Sequence, residues 1–319
     1  MEMHGAIAER YRDFAAFARD DSPCFEAWAL AVADDPDVQA WLADLPRVKQ
    51  QPNLVFAAAR WHGAPAPAPY DALRQVLLGD EDVKATILAR STQTNEAGRL
   101  ATLTPVLAAF GGPLALVEVG ASAGLCLYPD RYDYRWPPLG DLAGSGGPIL
   151  TCTVGGAMPV PARHPEVAWR GGVDLNPLDV TDPDATDWLT TLVWPEQEDR
   201  RVLLRAAIAI ARADPPHLVR GDLLEALPGL LDEASRHGTP VVLHSAVVAY
   251  LDHHDRERLA EAMRGHVAAG RCHWVANEAP GIVPGIEPPE PRLPARFLLA
   301  RDSSPVAWTH GHGHAISWL

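Results

Sequence analysis

LALVEVGASAGLCLYPD, Leu114–Asp130, is the stretch whose reading decides the fold. Leu114–Val119 is apolar except for one acid, Glu118, near its end. Gly120, Ala121, Ser122, Ala123 and Gly124 follow, and then an apolar-periodic segment begins. A strand buried on both faces of a parallel sheet needs apolar side chains at successive positions, not only at alternate ones. Small residues permit a sharp turn and let a ligand approach the backbone closely. The pattern predicts a buried parallel strand turning into a helix, with a small-molecule site at the turn.

Working towards the C-terminus, strands are predicted at Gly171–Leu175, His217–Arg220, Pro240–Leu243 and Cys272–Ala276. Helical segments separate them at Asp184–Ala213, Leu223–Ser235 and Arg256–Ala268. Strands alternating with helices imply a mostly parallel sheet covered by helices. Arg296–Leu299 and Val306–Trp308 read as two late strands, and Ala315–Leu319 as an antiparallel edge. An insertion rich in aromatics, Gly and Pro interrupts the pattern at about 128–170, with a hairpin expected around Pro148–Val154.

Working towards the N-terminus, helical spacing dominates and no strand pattern occurs. Asp34-Asp35-Pro36 reads as a break and restart, Asp as cap and Pro in the first turn. Further helices are expected at Asp37–Leu45, at Pro52–Trp61, at Ala72–Leu78 with Asp71 as N-cap, and through Thr86–Ala109, where Gly98 and Pro105 weaken continuity. The expectation is therefore a helical lobe, 1–110, and an α/β domain, 111–319.

Composition narrows the function. The 319 residues are 47% hydrophobic and 21% charged, enough for a core and against disorder. A net charge of −14 disfavours nucleic-acid phosphate as a partner. Apolar runs are too short to span a bilayer, and MEMHGAIAERYRDF lacks a secretory apolar region, so a cytoplasmic location is expected. Cys24, Cys126, Cys152 and Cys272 match neither a zinc motif nor a redox pair and read as buried free thiols.

In an open parallel sheet, ligands bind outside the carboxyl ends of the strands. Those ends carry Glu118 with Gly120–Gly124, Asp174 with Asn176, Asp222, His244 with Ser245, and Asn277 with Glu278. Gly120 and Gly124 would let the backbone approach adenosine or a carboxylate, and Asp174 would accept hydrogen bonds from a ribose diol. Capping and loop-fixing roles are the competing reading of the set. A third glycine is missing, and 54 positions separate Gly120 from Asp174 where a dinucleotide fold uses about 20, so an NAD oxidoreductase is poorly supported. A Walker A loop is absent.

Outside the loop, Ser91–Arg99 is dense in hydrogen-bonding groups. On a helix Asn95 and Arg99 would share a face, Arg99 holding a substrate carboxylate and Glu96 acting as a base or binding an ammonium; a capping network is the alternative. Gln50, Gln51 and Asn53 share that ambiguity. Trp194 could close over a ligand, with Glu196 or Arg200 touching its polar groups. An enclosed Glu278 would suit proton abstraction. His310, His312 and His314 are read as a turn with diverging rings rather than a metal site. Ser245 lacks the Gly-x-Ser-x-Gly elbow of a serine hydrolase.

The order of elements and the residues at strand ends resemble Rossmann-like S-adenosylmethionine-dependent methyltransferases. EVGASAG, Glu118–Gly124, matches the acidic strand end and glycine loop beside the cofactor. Asp174 matches the ribose-binding acid, Asp222 the residue near adenine, and His244-Ser245 the catalytic or substrate edge after the fourth strand. The resemblance implies a seven-stranded sheet with helices on both faces and a reversed final hairpin. It also implies S-adenosylmethionine bound by Glu118, Gly120, Ser122, Gly124, Asp174, Asn176 and Asp222. A small-molecule acceptor would lie near Asn95, Arg99, Trp194, Ser245 and Asn277, with His244, Glu278 or Glu96 as catalytic groups.

The whole chain is also similar to a bacterial family catalogued as domain of unknown function 2332. The matching segments are QQPNLVFAAAR (Gln50–Arg60), STQTNEAGR (Ser91–Arg99), VEVGASAGLCL (Val117–Leu127), GVDLNPLDV (Gly172–Val180), VWPEQEDR (Val193–Arg200), LVRGDLL (Leu218–Leu224), VVLHSAVVAYL (Val241–Leu251) and WVANEAPG (Trp274–Gly281). That family supplies a fold expectation and no reaction. A methyltransferase-like enzyme is the leading expectation. A non-catalytic module binding a nucleotide-like metabolite or a protein, and a structural scaffold, are the alternatives.

Overall fold

The computed structural model describes residues 2–93 and 95–319; Thr94, within the polar Ser91–Arg99 segment, lies outside the described residues. The chain divides into two compact units, Met1–Thr94 with Pro183–Arg205, and Asn95–Asp182 with Ala206–Leu319. The helical unit thus takes in a segment distant in sequence, and the first residues of the sheet unit precede the expected boundary at 110.

In the helical unit, α1 (Glu2–Ala18) is followed by α2 (Pro23–Asp34), whose cap Ser22 accepts a hydrogen bond from the Phe25 amide. The predicted break is present. Asp35 ends α2 and caps α3 (Pro36–Ala43), its carboxylate accepting from the Asp37 and Val38 amides. Next come α4 (Pro52–Trp61), α5 (Tyr70–Gly79), α6 (Asp82–Ala89) and α8 (Pro183–Leu192), while α7 (Leu100–Ala108) belongs to the other unit. Asp71 lies in the first turn of α5 and Pro69 takes the cap position, so the expected Asp71 cap is not used. The helical stretch expected through Thr86–Ala109, with continuity weakened at Gly98 and Pro105, is split between α6 and α7, with no helix from Arg90 to Glu96 among the described residues. The segment Asp184–Ala213 is likewise two helices, α8 and α9 (Glu198–Ala213), and the division between units falls within α9.

Aromatic side chains fill this unit's core. Trp194 is buried, with its ring against Phe14, Phe17 and Phe25 at centroid distances of 5.6, 5.7 and 5.8 Å, and its indole N–H donates to Asn53 Oδ1 at 3.0 Å. Arg60 fixes the incoming segment by donating to the Thr191 and Val193 carbonyls, each at 2.7 Å. Glu196 accepts from Ser22 Oγ and the Cys24 amide, adding a second acceptor at the N-terminus of α2.

The sheet unit is built on β1 (Pro113–Val119), β6 (Glu166–Asp174), β7 (His217–Arg220), β8 (Thr239–Ser245) and β9 (His273–Glu278), all parallel to their neighbours in the order β7-β6-β1-β8-β9. Every residue of Leu114–Val119 is buried, as the uninterrupted apolar pattern requires. One face packs under α10 (Leu223–Ala234) and α11 (His253–Ala268), with Ala115, Val117 and Val119 beside Leu227, Leu231, Leu259 and Met263 in one core. Beyond β9 the direction alternates through β10 (Phe297–Arg301), β11 (Ser304–Thr309) and β12 (Ala315–Trp318).

Within the insertion, β2 (Asp133–Trp136), β3 (Gly140–Leu142) and β4 (Ile149–Thr151) form a small separate sheet. Then β5 (Thr153–Gly155) pairs in parallel with β12, so β12 is not the edge. The expected Pro148–Val154 hairpin is therefore two strands in different sheets. The main sheet has nine strands where seven were expected, because β5 and β12 extend it past the late hairpin. Among the described residues, no helix is long and apolar enough to cross a membrane.

Trp194→Ala removes the ring that joins Phe14, Phe17 and Phe25, and is expected to destabilise the helical unit by about 3–5 kcal/mol. Denaturant unfolding of the full chain measures this; a loss below about 1 kcal/mol would contradict the packing role.

Candidate functional site

Strand order reverses at β1: the chain moves outward through β6 and β7 on one side and through β8 and β9 on the other. The crevice at such a switch point is where open parallel sheets bind ligands. At the carboxyl end of β1 the backbone turns through left-handed conformations at Gly120 (φ +69°), Ser122 (φ +50°) and Gly124 (φ +70°). A Cβ at Gly120 would meet Val247 Cγ2, after β8, at 2.5 Å, so the first glycine sets how closely the two sides of the crevice approach. A Cβ at Gly172 would lie 2.7 Å from the Glu118 carbonyl oxygen, so β6 can pair closely with β1 only as glycine there.

The loop's amides point inward. Gly120 and Ala121 donate to the Val173 carbonyl, Gly124 donates to the Ala121 carbonyl, and Ser122 donates to Asp174 Oδ2. Asn95 clasps the turn, its Nδ2 donating to the Ala121 carbonyl at 2.8 Å and its Oδ1 accepting from the Leu125 amide at 2.7 Å. The segment after Gly124 is a single 3-10 turn, Leu125–Leu127, rather than the expected helix. An anion cradle of free helix amides is therefore not formed there; Tyr128 and Pro129 end the turn, and the Tyr128 hydroxyl donates to the Asp214 carbonyl.

Two buried polar atoms at this end of β1 have no hydrogen-bond partner among the described residues, Glu118 Oε2 and Ser122 Oγ, on residues 5% and 4% exposed. Burial pushes the Glu118 carboxyl up to about 8; Arg99 opposes the shift and the Asp174 carboxylate adds to it. Burial likewise raises the Cys126 thiol beside it, with the negative charge of Glu118 as a further cause. Cys126 was expected only as a buried free thiol. Its position two residues past the loop was the available signal.

Asp174 receives the Ser122 amide on one oxygen and the Asn176 amide on the other, at 2.8 and 2.7 Å, and so fastens β6 to the glycine loop. Arg220 donates to Asn176 Oδ1 at 3.1 Å. Asp222 is exposed and caps α10, accepting from the Leu224 and Glu225 amides. Its observed contacts are those of a helix cap.

The ends of β8 and β9 hold two buried networks on opposite faces. In register, His244 pairs with Ala276 and Ser245 with Asn277, so alternation puts His244 and Glu278 on one face, Ser245 and Asn277 on the other. Trp274 Nε1 donates to His244 Nε2 at 2.9 Å. An indole nitrogen can only donate, so His244 carries its proton on Nδ1, which faces Glu278 Oε1 at 2.7 Å. Glu278 also accepts from the Val247 and Val248 amides, at 3.0 and 3.3 Å. Both ring nitrogens are thus engaged, and the expected role of His244 or Glu278 as a free proton acceptor does not match this arrangement. On the other face, Asn277 donates to Ser245 Oγ at 2.9 Å and accepts from Thr309 Oγ1 at 2.6 Å.

Asn95 and Arg99 do not share a helical face, because Asn95 precedes the 3-10 turn Ala97–Arg99. Glu96 accepts from the Gly98 amide at 3.3 Å and faces His312 Nδ1 at 3.2 Å. Arg99 donates to the Gly311 carbonyl at 2.8 Å and the Ser245 carbonyl at 2.9 Å, tying the β11–β12 turn to the end of β8. The rings of His310, His312 and His314 do not diverge; their centroids lie 5.2–6.3 Å apart. Among the described residues, no group of three or more His, Cys, Asp or Glu is arranged to hold a metal ion.

In the sheet unit, then, Asn95, Glu96, Arg99, Glu118, Asp174, His244, Ser245, Asn277 and Glu278 are linked through loops and strand ends. Trp194 is a core residue of the helical unit, where Gln50 also donates to the Leu45 carbonyl and accepts from Arg10. Trp274, Thr309 and the Val247 and Val248 amides were missed, and His312 was read only as part of a turn, since strand register and hairpin packing select them.

Glu118 has a folded-state value above the ordinary 4.5, so its contribution favours the fold below pH 4.5 and is lost as pH rises towards about 8. Stability should fall through that window by up to about 1.4 kcal/mol per pH unit from this group. Glu118→Gln is expected to flatten that slope in denaturant unfolding followed between pH 5 and 8; an unchanged slope would contradict the burial of an ionisable carboxyl.

No curated protein matches the chain. One solved structure, the tetrameric eIF2B-beta2-delta2 complex from C. thermophilum, is 14% identical over 98% of this chain and 86% of that chain. Its TM-score of 0.23 is too low to bear on the fold. A family model described as "Uncharacterized protein conserved in bacteria (DUF2332)" matches residues 8–318, and the chain belongs to that family.

Proposed function

We propose that the sheet unit binds S-adenosylmethionine at the switch-point crevice and that the protein is a methyltransferase-like enzyme acting on a small molecule. The observation that carries this reading is the pair of buried, unpartnered acceptors at the end of β1, Glu118 Oε2 and Ser122 Oγ. The Cys126 thiol bonds the Glu118 carboxyl, but a buried carboxylate oxygen left without a donor is costly to keep, and a ligand ammonium would supply the missing partner.

The residues fit the cofactor's ammonium and ribose. Ionised Glu118 would receive the ammonium, and Asp174, whose oxygens each retain a further lone pair, would accept from the diol. The Gly120, Ala121, Ser122 and Gly124 amides are already bonded within the protein and offer nothing to a carboxylate, so that end would need another donor. When bound, the cofactor supplies an electrophilic methyl group. Asn95 and Asp174 hold the glycine loop, and Glu278 holds the Val247–Val248 turn opposite it, so the chain's contribution is chiefly to position the two partners. With His244 and Glu278 engaged, the preferred acceptor is a nucleophile that needs no strong base.

That same engagement favours a second reading, a binding module for a nucleotide-like metabolite without turnover. Calorimetry with S-adenosylmethionine tests the shared binding step. The wild-type chain is expected to bind, and Glu118→Gln to weaken affinity at pH 8 by at least about tenfold. Affinity should fall as pH drops below 8, by up to about tenfold per unit, because the carboxyl must first lose its proton. Gly120→Trp should block binding. No binding by the wild type would overturn both readings, and binding without transfer of labelled methyl to small-molecule acceptors would favour the module.

A further inference from the structure

We propose that the helical unit carries a second, independent site, an acyl-transfer triad of Thr86, His62 and Asp80 that cleaves short uncharged esters. His62 closes the C-terminus of α4, Asp80 follows α5, and Thr86 lies in α6, so three helix segments bring together residues 18 and 24 positions from His62. Thr86 Oγ1 lies 2.7 Å from His62 Nε2, and Asp80 Oδ2 lies 3.1 Å from His62 Nδ1. That is the order hydroxyl, imidazole, carboxylate on which nucleophilic catalysis by an alcohol depends. The second oxygen of Asp80 accepts from the Asp82 amide at 2.9 Å, which fixes the carboxylate towards the ring.

Two members of the triad face an open cleft of about 430 Å³. His62 and Asp80 line the cleft, and Thr86, half-buried, is bonded to the ring that lines it. Pro65, Ala72 and Val76 give it apolar walls suited to a short acyl chain, and the exposed Gln75 offers a side-chain amide to a developing oxyanion. The amide of Gly63 is occupied by the Arg60 carbonyl, so Gln75 is the donor assigned to that task. The Asp80 charge at the rim disfavours acids as the acyl group.

In the reaction, Thr86 Oγ1 bonds to the ester carbonyl carbon while its proton passes to His62 Nε2. The bond to the departing alcohol breaks, and the alcohol takes that proton. Water then attacks the acyl-threonine, giving a proton to His62; the carboxylic acid leaves and the proton returns to Thr86. No oxidant, metal or further reactant enters.

The full chain incubated with p-nitrophenyl acetate tests the proposal, followed by p-nitrophenolate release and peptide mass mapping. The wild type should release p-nitrophenolate and carry an acetyl group on Thr86. His62→Gln should slow release at least about 100-fold, Thr86→Val should abolish the adduct, and Thr86→Ser should retain it. Circular dichroism identifies variants that fail to fold, and the serine variant then carries the test. An inert wild type, an adduct at another residue, or wild-type rates in folded His62→Gln would overturn the proposal.

Discussion

Parallel pairing of β1 with β6 on one side and β8 on the other is the constraint on which the sheet unit depends. It buries β1 on both faces, demands glycine at position 172, and leaves the loops after β1 and β8 facing each other across Gly120 and Val247. Everything assigned to the crevice follows from the chain reversing its outward course at that strand.

The buried polar groups around this crevice divide into two kinds. Glu278 and Asn277 are fully employed inside the protein, and leaving such groups unmade would cost about 1–3 kcal/mol each. They hold loops. Glu118 and Ser122 are buried at the same ends of the sheet with an oxygen each left over. On the proposed reading, those open oxygens are where a bound ligand would supply the missing donors.

Much of the sheet unit was legible. β7 falls at the predicted residues, and β1, β8, β9 and β11 lie within three residues of prediction at either end. Their apolar composition is dictated by burial, and burial by the parallel arrangement. β12 was expected beside β11, but its pairing with β5 was not legible, because three-residue β5 follows a separate small sheet and joins a partner about 160 positions away. The expected helix after Gly124 failed for a local reason: Pro129 and the inward-facing loop amides leave room for one 3-10 turn.

The sequence alone determined the alternating strands and helices, the acid and glycine at the end of β1, the capping at Asp35 and the family. Those depend on periodicity, on backbone conformations open to few residues, or on contacts a few positions apart. Only the tertiary structure decided that His244 is held between Trp274 and Glu278, that Arg99 binds two backbone carbonyls, and that Trp194 is core. A side chain's chemistry is written in its type. Whether that chemistry is spent or left available depends on partners chosen by strand register and packing across tens to hundreds of residues.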